Sequence, residues 1–138
     1  MKELKKVEPI YIEEYDIHVN RYLTKAQIQN IANEVIKVET WAERESIIDY
    51  MLLNYATDIS KEEIDAIDTD VLEHSGLMEE IRCRVINVFD MYEAIKFEES
   101  FTKQLGKLMT LLPTVAKEAV EKVNSIKEVE NSGAIRKR

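Results

Sequence analysis

The sequence predicts a mainly α protein: a single compact bundle of five to six helices with an N-terminal extended arm or β-hairpin. Three observations carry this. Only 3 Gly and 2 Pro occur in 138 residues, too few for a turn-rich β protein or a disordered chain. Apolar side chains make up 45% of the residues, enough for a core in a domain of this length. A Ser or Thr followed three residues later by Glu or Gln recurs at Thr24–Gln27, Thr40–Glu43 and Ser60–Glu63. In this capping-box pattern each side chain satisfies an otherwise orphaned backbone N–H at a helix start.

Residues 1–23 differ from the rest. Ile10, Tyr11 and Ile12, followed by the alternating Tyr15, Ile17 and Val19, place β-branched and aromatic side chains at a period near two. Pro9 lacks an N–H and favours an edge position, and Glu13-Glu14-Tyr15-Asp16 lacks the Asn-Gly or Asp-Gly chemistry of a tight hairpin turn. A hairpin and an unpaired arm both fit.

Residues 24–130 read as the helical domain. The first helix opens at Thr24 and carries Ile28, Ile31, Ala32, Val35 and Val38 at spacings of three and four. The second opens at Thr40, with Ile47, Ile48, Met51, Leu52 and Tyr55 facing inward. A short third helix follows Ser60, and a further turn around Val71 and Leu72 stops at Gly76, with His74 placed to suit the helix dipole. Met78, Ile81, Val85, Val88, Tyr92 and Ile95 form a seam that predicts one helix over 77–96, packed inside the domain because it is too short for a free coiled coil. A second stripe, Phe97, Phe101, Leu105, Leu108 and Leu112, is expected to end at Pro113, which opens a following helix. The narrower face Val115, Ala119, Val123 and Ile126 buries little area, so that last helix is expected to dock on a partner or on the bundle edge. Residues 131–138 read as a basic C-terminal tail.

Charge and composition exclude several functions. The net charge is −8. Setting aside Arg136, Lys137 and Arg138 leaves sixteen basic against twenty-seven acidic residues, so residues 1–130 carry −11. Such a body repels phosphate, and no direct nucleic-acid grip by the folded domain is expected. The longest unbroken apolar run, Tyr50 to Leu53, is four residues against the roughly 20 that span a bilayer. No apolar stretch follows Lys2, Lys5 and Lys6, so neither a secretion signal nor a membrane association is expected. One cysteine excludes an internal disulfide and a Cys-based zinc cluster, and three glycines set far apart exclude phosphate-cradling loops. No cofactor, metal or catalytic residue is expected. His18 and His74 lack partners for nucleophilic catalysis, and Cys83, between Arg82 and Arg84, reads chiefly as a small hydrophobe.

The candidate functional residues are therefore partner-binding ones. Ile10, Tyr11, Ile12, Tyr15, Ile17 and Tyr22 concentrate aromatic and apolar surface in the arm, where they can pack on their own bundle or reach a neighbour. Trp41 sits in the first turn of the second helix, as a lid on the core or an anchor for a partner. Between Thr57 and Glu80 nine acids, Glu62, Glu63, Asp65, Asp68 and Asp70 among them, stand against Lys61 alone. That stretch lacks the glycine of a calcium loop and reads as a solvated face or a dock for a basic partner. Arg136, Lys137 and Arg138 complement it.

Tyr22-Leu23-Thr24, Ala26-Gln27-Ile28, Thr40-Trp41-Ala42-Glu43-Arg44 and Tyr55-Ala56-Thr57-Asp58 give the chain, over roughly residues 20–105, a resemblance to small helical proteins of tailed bacteriophages of low-GC Gram-positive bacteria. The resemblance implies a head–tail connector or neck component, a non-enzymatic structural protein that forms rings and grips neighbours through arms or tails. It carries over no functional residue. Its expected partners are further copies of the chain or other virion proteins, and its expected location is the host cytoplasm during assembly and then the virion. The alternative is a small acidic regulatory or anti-defence protein whose Thr57–Glu80 face occupies the basic groove of a host nucleic-acid enzyme.

Overall fold

The computed structural model describes the backbone of residues 1–136 and the side chains of residues 1–126. Lys137 and Arg138, and the side chain of Arg136, lie outside the described residues. The chain is mainly α, with a short N-terminal antiparallel hairpin and, among the described residues, six helices. It divides into two compact units, Met1–Glu99 and Ser100–Arg138.

In the first unit, β1 (Ile10–Ile12) and β2 (Ile17–Val19) pair antiparallel with Ile10 opposite Val19, Tyr11 opposite His18 and Ile12 opposite Ile17. A 3-10 turn over Glu13–Tyr15 joins them, and Asp16 completes it in the left-handed region at φ 51°. Asp16 tolerates that conformation because its short polar side chain bonds locally, accepting from the Tyr11 hydroxyl at 2.6 Å. The residues between the strands thus solve the turn without Asn-Gly.

Helix α1 (Lys25–Val35) begins as its capping box requires: Gln27 N–H donates to Thr24 Oγ1 at 3.1 Å and Thr24 N–H to Gln27 Oε1 at 2.9 Å. Helix α2 (Trp41–Ala56) is capped by Thr40 and α3 (Lys61–Asp65) by Ser60, each accepting from the Glu three residues on. Helix α4 (Thr69–Ser75) is capped by Asp68 and stops at Gly76, whose φ of 77° a side chain disfavours.

The predicted helix over 77–96 is two helices. Helix α5 (Leu77–Arg84) ends where Val85 turns extended, and α6 (Val88–Arg136) begins three residues later. Tertiary hydrogen bonds hold the break open. Ile86 N–H donates to the Arg21 carbonyl at 2.7 Å, and the buried Asn87 amide clasps Leu23, accepting from its N–H at 2.9 Å and donating to its carbonyl at 2.8 Å. These bonds satisfy groups that a continuous helix would leave unpaired in the core. The second expected break is absent: Pro113 lies inside α6, which passes through it.

The core of this unit gathers Val19, Leu23, Ile31, Ile48, Leu52, Ile81, Met91 and Ile95, all nearly inaccessible to water. Ile12 and Ile17 join it from the hairpin. Each such side chain contributes about 1.5–3 kcal/mol on full burial. Among the described residues the second unit contains only α6 from Ser100 onward.

Candidate interaction surfaces

The hairpin is sealed on its own unit. Asn20 N–H donates to the Ala56 carbonyl at 2.7 Å, Asp58 N–H to the His18 carbonyl at 3.2 Å, and Val19 bridges to Thr57. His18 returns two contacts to Asp58, its N–H to Oδ1 and its Nδ1 to Oδ2, both at 2.9 Å. The His18 backbone N–H above all, and then the ring, hold the Asp58 carboxyl below its usual range. This exposed pair ties the hairpin to the end of α2.

These contacts correct the expectation that Ile12 and Ile17 bind a partner, because both are buried in the chain's own core. The pleat explains it: Ile10, Ile12, Ile17 and Val19 share the inward face, while Tyr11 and His18 point outward with their rings 4.9 Å apart. Ile10 and Tyr15 pack partly against the core, and the Tyr15 hydroxyl donates to the Ser75 carbonyl at 2.5 Å, beside the left-handed Gly76. Tyr11 and Tyr22 remain on the surface, each about half exposed.

Trp41 is 59% exposed. The buried Arg44 guanidinium lies 5.4 Å from its ring centre, within cation–π range. Arg44 is fixed in turn by the Val38 carbonyl at 3.0 Å and Glu99 at 3.2 Å. Trp41 therefore lies against the buried Arg44 in the first turn of α2, whose partner Glu99 is half-buried.

Glu62, Glu63, Asp65, Asp68 and Asp70 are all exposed. Glu62 and Glu63 lie in the first turn of α3 and Asp70 in that of α4, where the dipole favours carboxylates. Asp68 caps α4, and Asp65 accepts from the Tyr50 hydroxyl at 3.1 Å. Among the described residues no cluster of His, Cys, Asp or Glu is arranged to hold a metal ion.

A cleft of about 300 Å³ lies between α2, α3 and α4, lined by Glu45, Asp49, Leu53, Ile64, Leu72 and Glu73 among others. Neither histidine lines it. Arg82 bonds Asp49, and Glu45 at 2.8 Å, from α5. Burial nevertheless lifts the Asp49 carboxyl above its usual value, against the pull of Arg82. The cleft thus has acids, two of them held by Arg82, but among the residues lining it no imidazole or thiol.

A long run of exposed apolar side chains lies on the second unit. Leu105, Leu108, Met109, Leu111, Leu112, Val115, Val120, Val123 and Ile126 are each between 45% and 59% exposed. They occupy 22 residues of α6, a strip about 32 Å long. The sequence pattern identified most of these positions as apolar stripes, but on two helices parted at Pro113, and not that nothing in the second unit covers them. No helix among the described residues is long and apolar enough to cross a membrane.

No family model, curated protein or solved structure matches the chain.

Proposed function

We propose that the chain is a non-enzymatic assembly protein of a phage particle, of connector or neck type, and that the apolar face of α6 from Leu105 to Ile126 is its mating surface. The observation that carries this reading is the exposure of that face. Contiguous apolar patches larger than about a few hundred Å² are rare on monomers and mark places where macromolecules meet. The phage setting rests on the resemblance over residues 20–105. Tyr11, Tyr22 and Trp41 offer secondary aromatic contacts at the rim of the first unit.

Solution mass tests the assembly reading. The full chain, 16.1 kDa as a monomer, should sediment as an oligomer alone or with the virion proteins it joins. Leu108→Glu combined with Leu112→Glu should weaken that association by at least about 3 kcal/mol, more than a hundredfold, with the helical circular-dichroism signal retained. A chain that stays monomeric in both settings, or an oligomer unaffected by the two substitutions, contradicts it.

The exposure of all five acids from Glu62 to Asp70 supports a second reading, an acidic regulator that fills the basic groove of a nucleic-acid enzyme. Its binding would weaken steeply with salt and vanish when those acids are neutralised. Salt-insensitive binding rejects it.

A further inference from the structure

We infer that the occupant of the α6 face is the α6 helix of a second copy of this chain, packed antiparallel with Leu112 of one copy against Val115 of the other. This rests on the assembly reading above and deepens it by naming the partner and its direction.

The spacing of the face is the first argument. Leu105, Leu108, Leu112, Val115 and Ala119 step by three, four, three and four, and Ile126 falls seven residues after Ala119. This is the seam by which one helix packs knobs into the holes of another. Lys122 occupies the remaining seam position.

The direction follows from what each seam residue would meet. In a parallel, in-register pair every residue faces its own copy. Lys122 would meet Lys122 inside the seam, a like-charge contact, and Ala119 would meet Ala119 and leave a gap. In the antiparallel register centred on Leu112 and Val115, Leu108 meets Ala119, Leu105 meets the stem of Lys122, and Met109 on the flank meets Ala116. Leu108 then fills the space that Ala119 leaves, and Leu105 replaces the like-charge neighbour of Lys122, which is how a helix interface fills.

Charge favours the same direction. Met1–Glu99 carries eleven basic and twenty-three acidic residues, net −12, and α6 starts within that unit. A parallel pair brings two such acidic units to the same end of the seam, whereas an antiparallel pair separates them and sets Lys107 of one helix towards Glu118 and Glu121 of the other. The apolar residues also cover about half the helix circumference at 100° per residue, wider than a two-helix seam needs. Two antiparallel pairs can therefore stack face to face, so the number of chains is even.

Disulfide trapping in the full-length chain tests the inference. On a Cys83→Ser background, which removes the exposed native thiol, Leu105→Cys and Lys122→Cys variants are oxidised separately and as a mixture, after circular dichroism has established equal helicity. The inference predicts that the mixed disulfide exceeds either homodimer by roughly tenfold, because the antiparallel pair sets position 105 against 122 and holds like positions about 25 Å apart, out of disulfide reach; a parallel pair does the reverse. It also predicts two or four chains for the unmodified protein by sedimentation. Predominant homodimer disulfides, or an assembly of three chains, overturn it. An oligomer that traps no disulfide overturns it while leaving the assembly reading standing, and a chain that is monomeric alone and with virion proteins removes both.

Discussion

The two units use the same kind of apolar periodicity to opposite ends. In Met1–Glu99 the apolar rows of α1, α2 and α5 close on one another and on the hairpin, and the charge outside is strongly negative. In Ser100–Arg138, a segment of net charge +4 from eight basic and four acidic residues, a row of comparable length is left facing water along α6. Hydrophobic spacing therefore identifies a helix face but not its cover. What distinguishes the units is whether other elements of the same unit supply complementary faces, as the core of the first unit shows and the lone helix of the second does not.

The largest effect that would break this contrast is in the first core. Leu52→Ala should destabilise the chain by about 2–5 kcal/mol, read by denaturant unfolding of the circular-dichroism signal, because it opens a cavity in a closed core. Leu108→Ala should change the same midpoint, at a concentration where the chain is monomeric, by less than about 0.5 kcal/mol. Equal losses at the two positions would mean that the α6 face is covered within the chain.

Asn87→Ala should follow, at about 2–3 kcal/mol, because it leaves the Leu23 N–H and carbonyl without partners in a buried site. Amide exchange near Leu23 should accelerate in step, and an unchanged rate would show that the α5–α6 break does not depend on this clasp. Gly76→Ala should remove about 1–2 kcal/mol, the strain of a side chain held at φ 77° between α4 and α5. A neutral result there would show that the turn can rebuild with a negative φ.

The smallest effect is a pH dependence confined to the first unit. Asp58 is held below its ordinary value in the folded chain, so its contribution is fully present above the unfolded value of about 3.9 and is lost as pH falls through the folded one. Asp58 is exposed and solvent screens the effect. Asp58→Asn should therefore lower the unfolding midpoint slightly at pH 7 and by less at pH 3. A gap that widens on acidification would reverse the sign assigned to this pair.

Much of the fold was legible in the sequence. The three caps at Thr24, Thr40 and Ser60 and the stop at Gly76 are local chemistry, settled within four residues of chain, and the structure places each where the spacing puts it. The break between Arg84 and Val88 was not legible, because the seam from Met78 to Ile95 is helical in its spacing and the interruption comes from Arg21 and Leu23, more than sixty residues away in the chain. Met91, outside the expected seam, also lies in the core. Pro113 misled in the other direction. Instead of ending there, α6 continues through it.

The candidate site was read less well than the fold. Aromatic clustering drew attention to the arm, yet the pleat sends Ile12 and Ile17 inward and leaves Tyr11 outside. The face of α6 was visible as spacing, and its last part was expected to dock on a partner or on the bundle edge, but burial depends on what lies opposite, which a single sequence does not state. The signal that bears on it is the mixed content of the seam, with Ala119 and Lys122 among leucines, since those residues constrain which helix can lie against them.

Hydrogen exchange of α6 as a function of protein concentration tests the central claim most directly. If copies of the chain cover the Leu105–Ile126 face, backbone amides there should exchange more slowly as concentration rises, while amides of Ile48 and Leu52 in α2 keep the same rates throughout. Concentration-independent exchange along α6 in a chain that nonetheless assembles would contradict it.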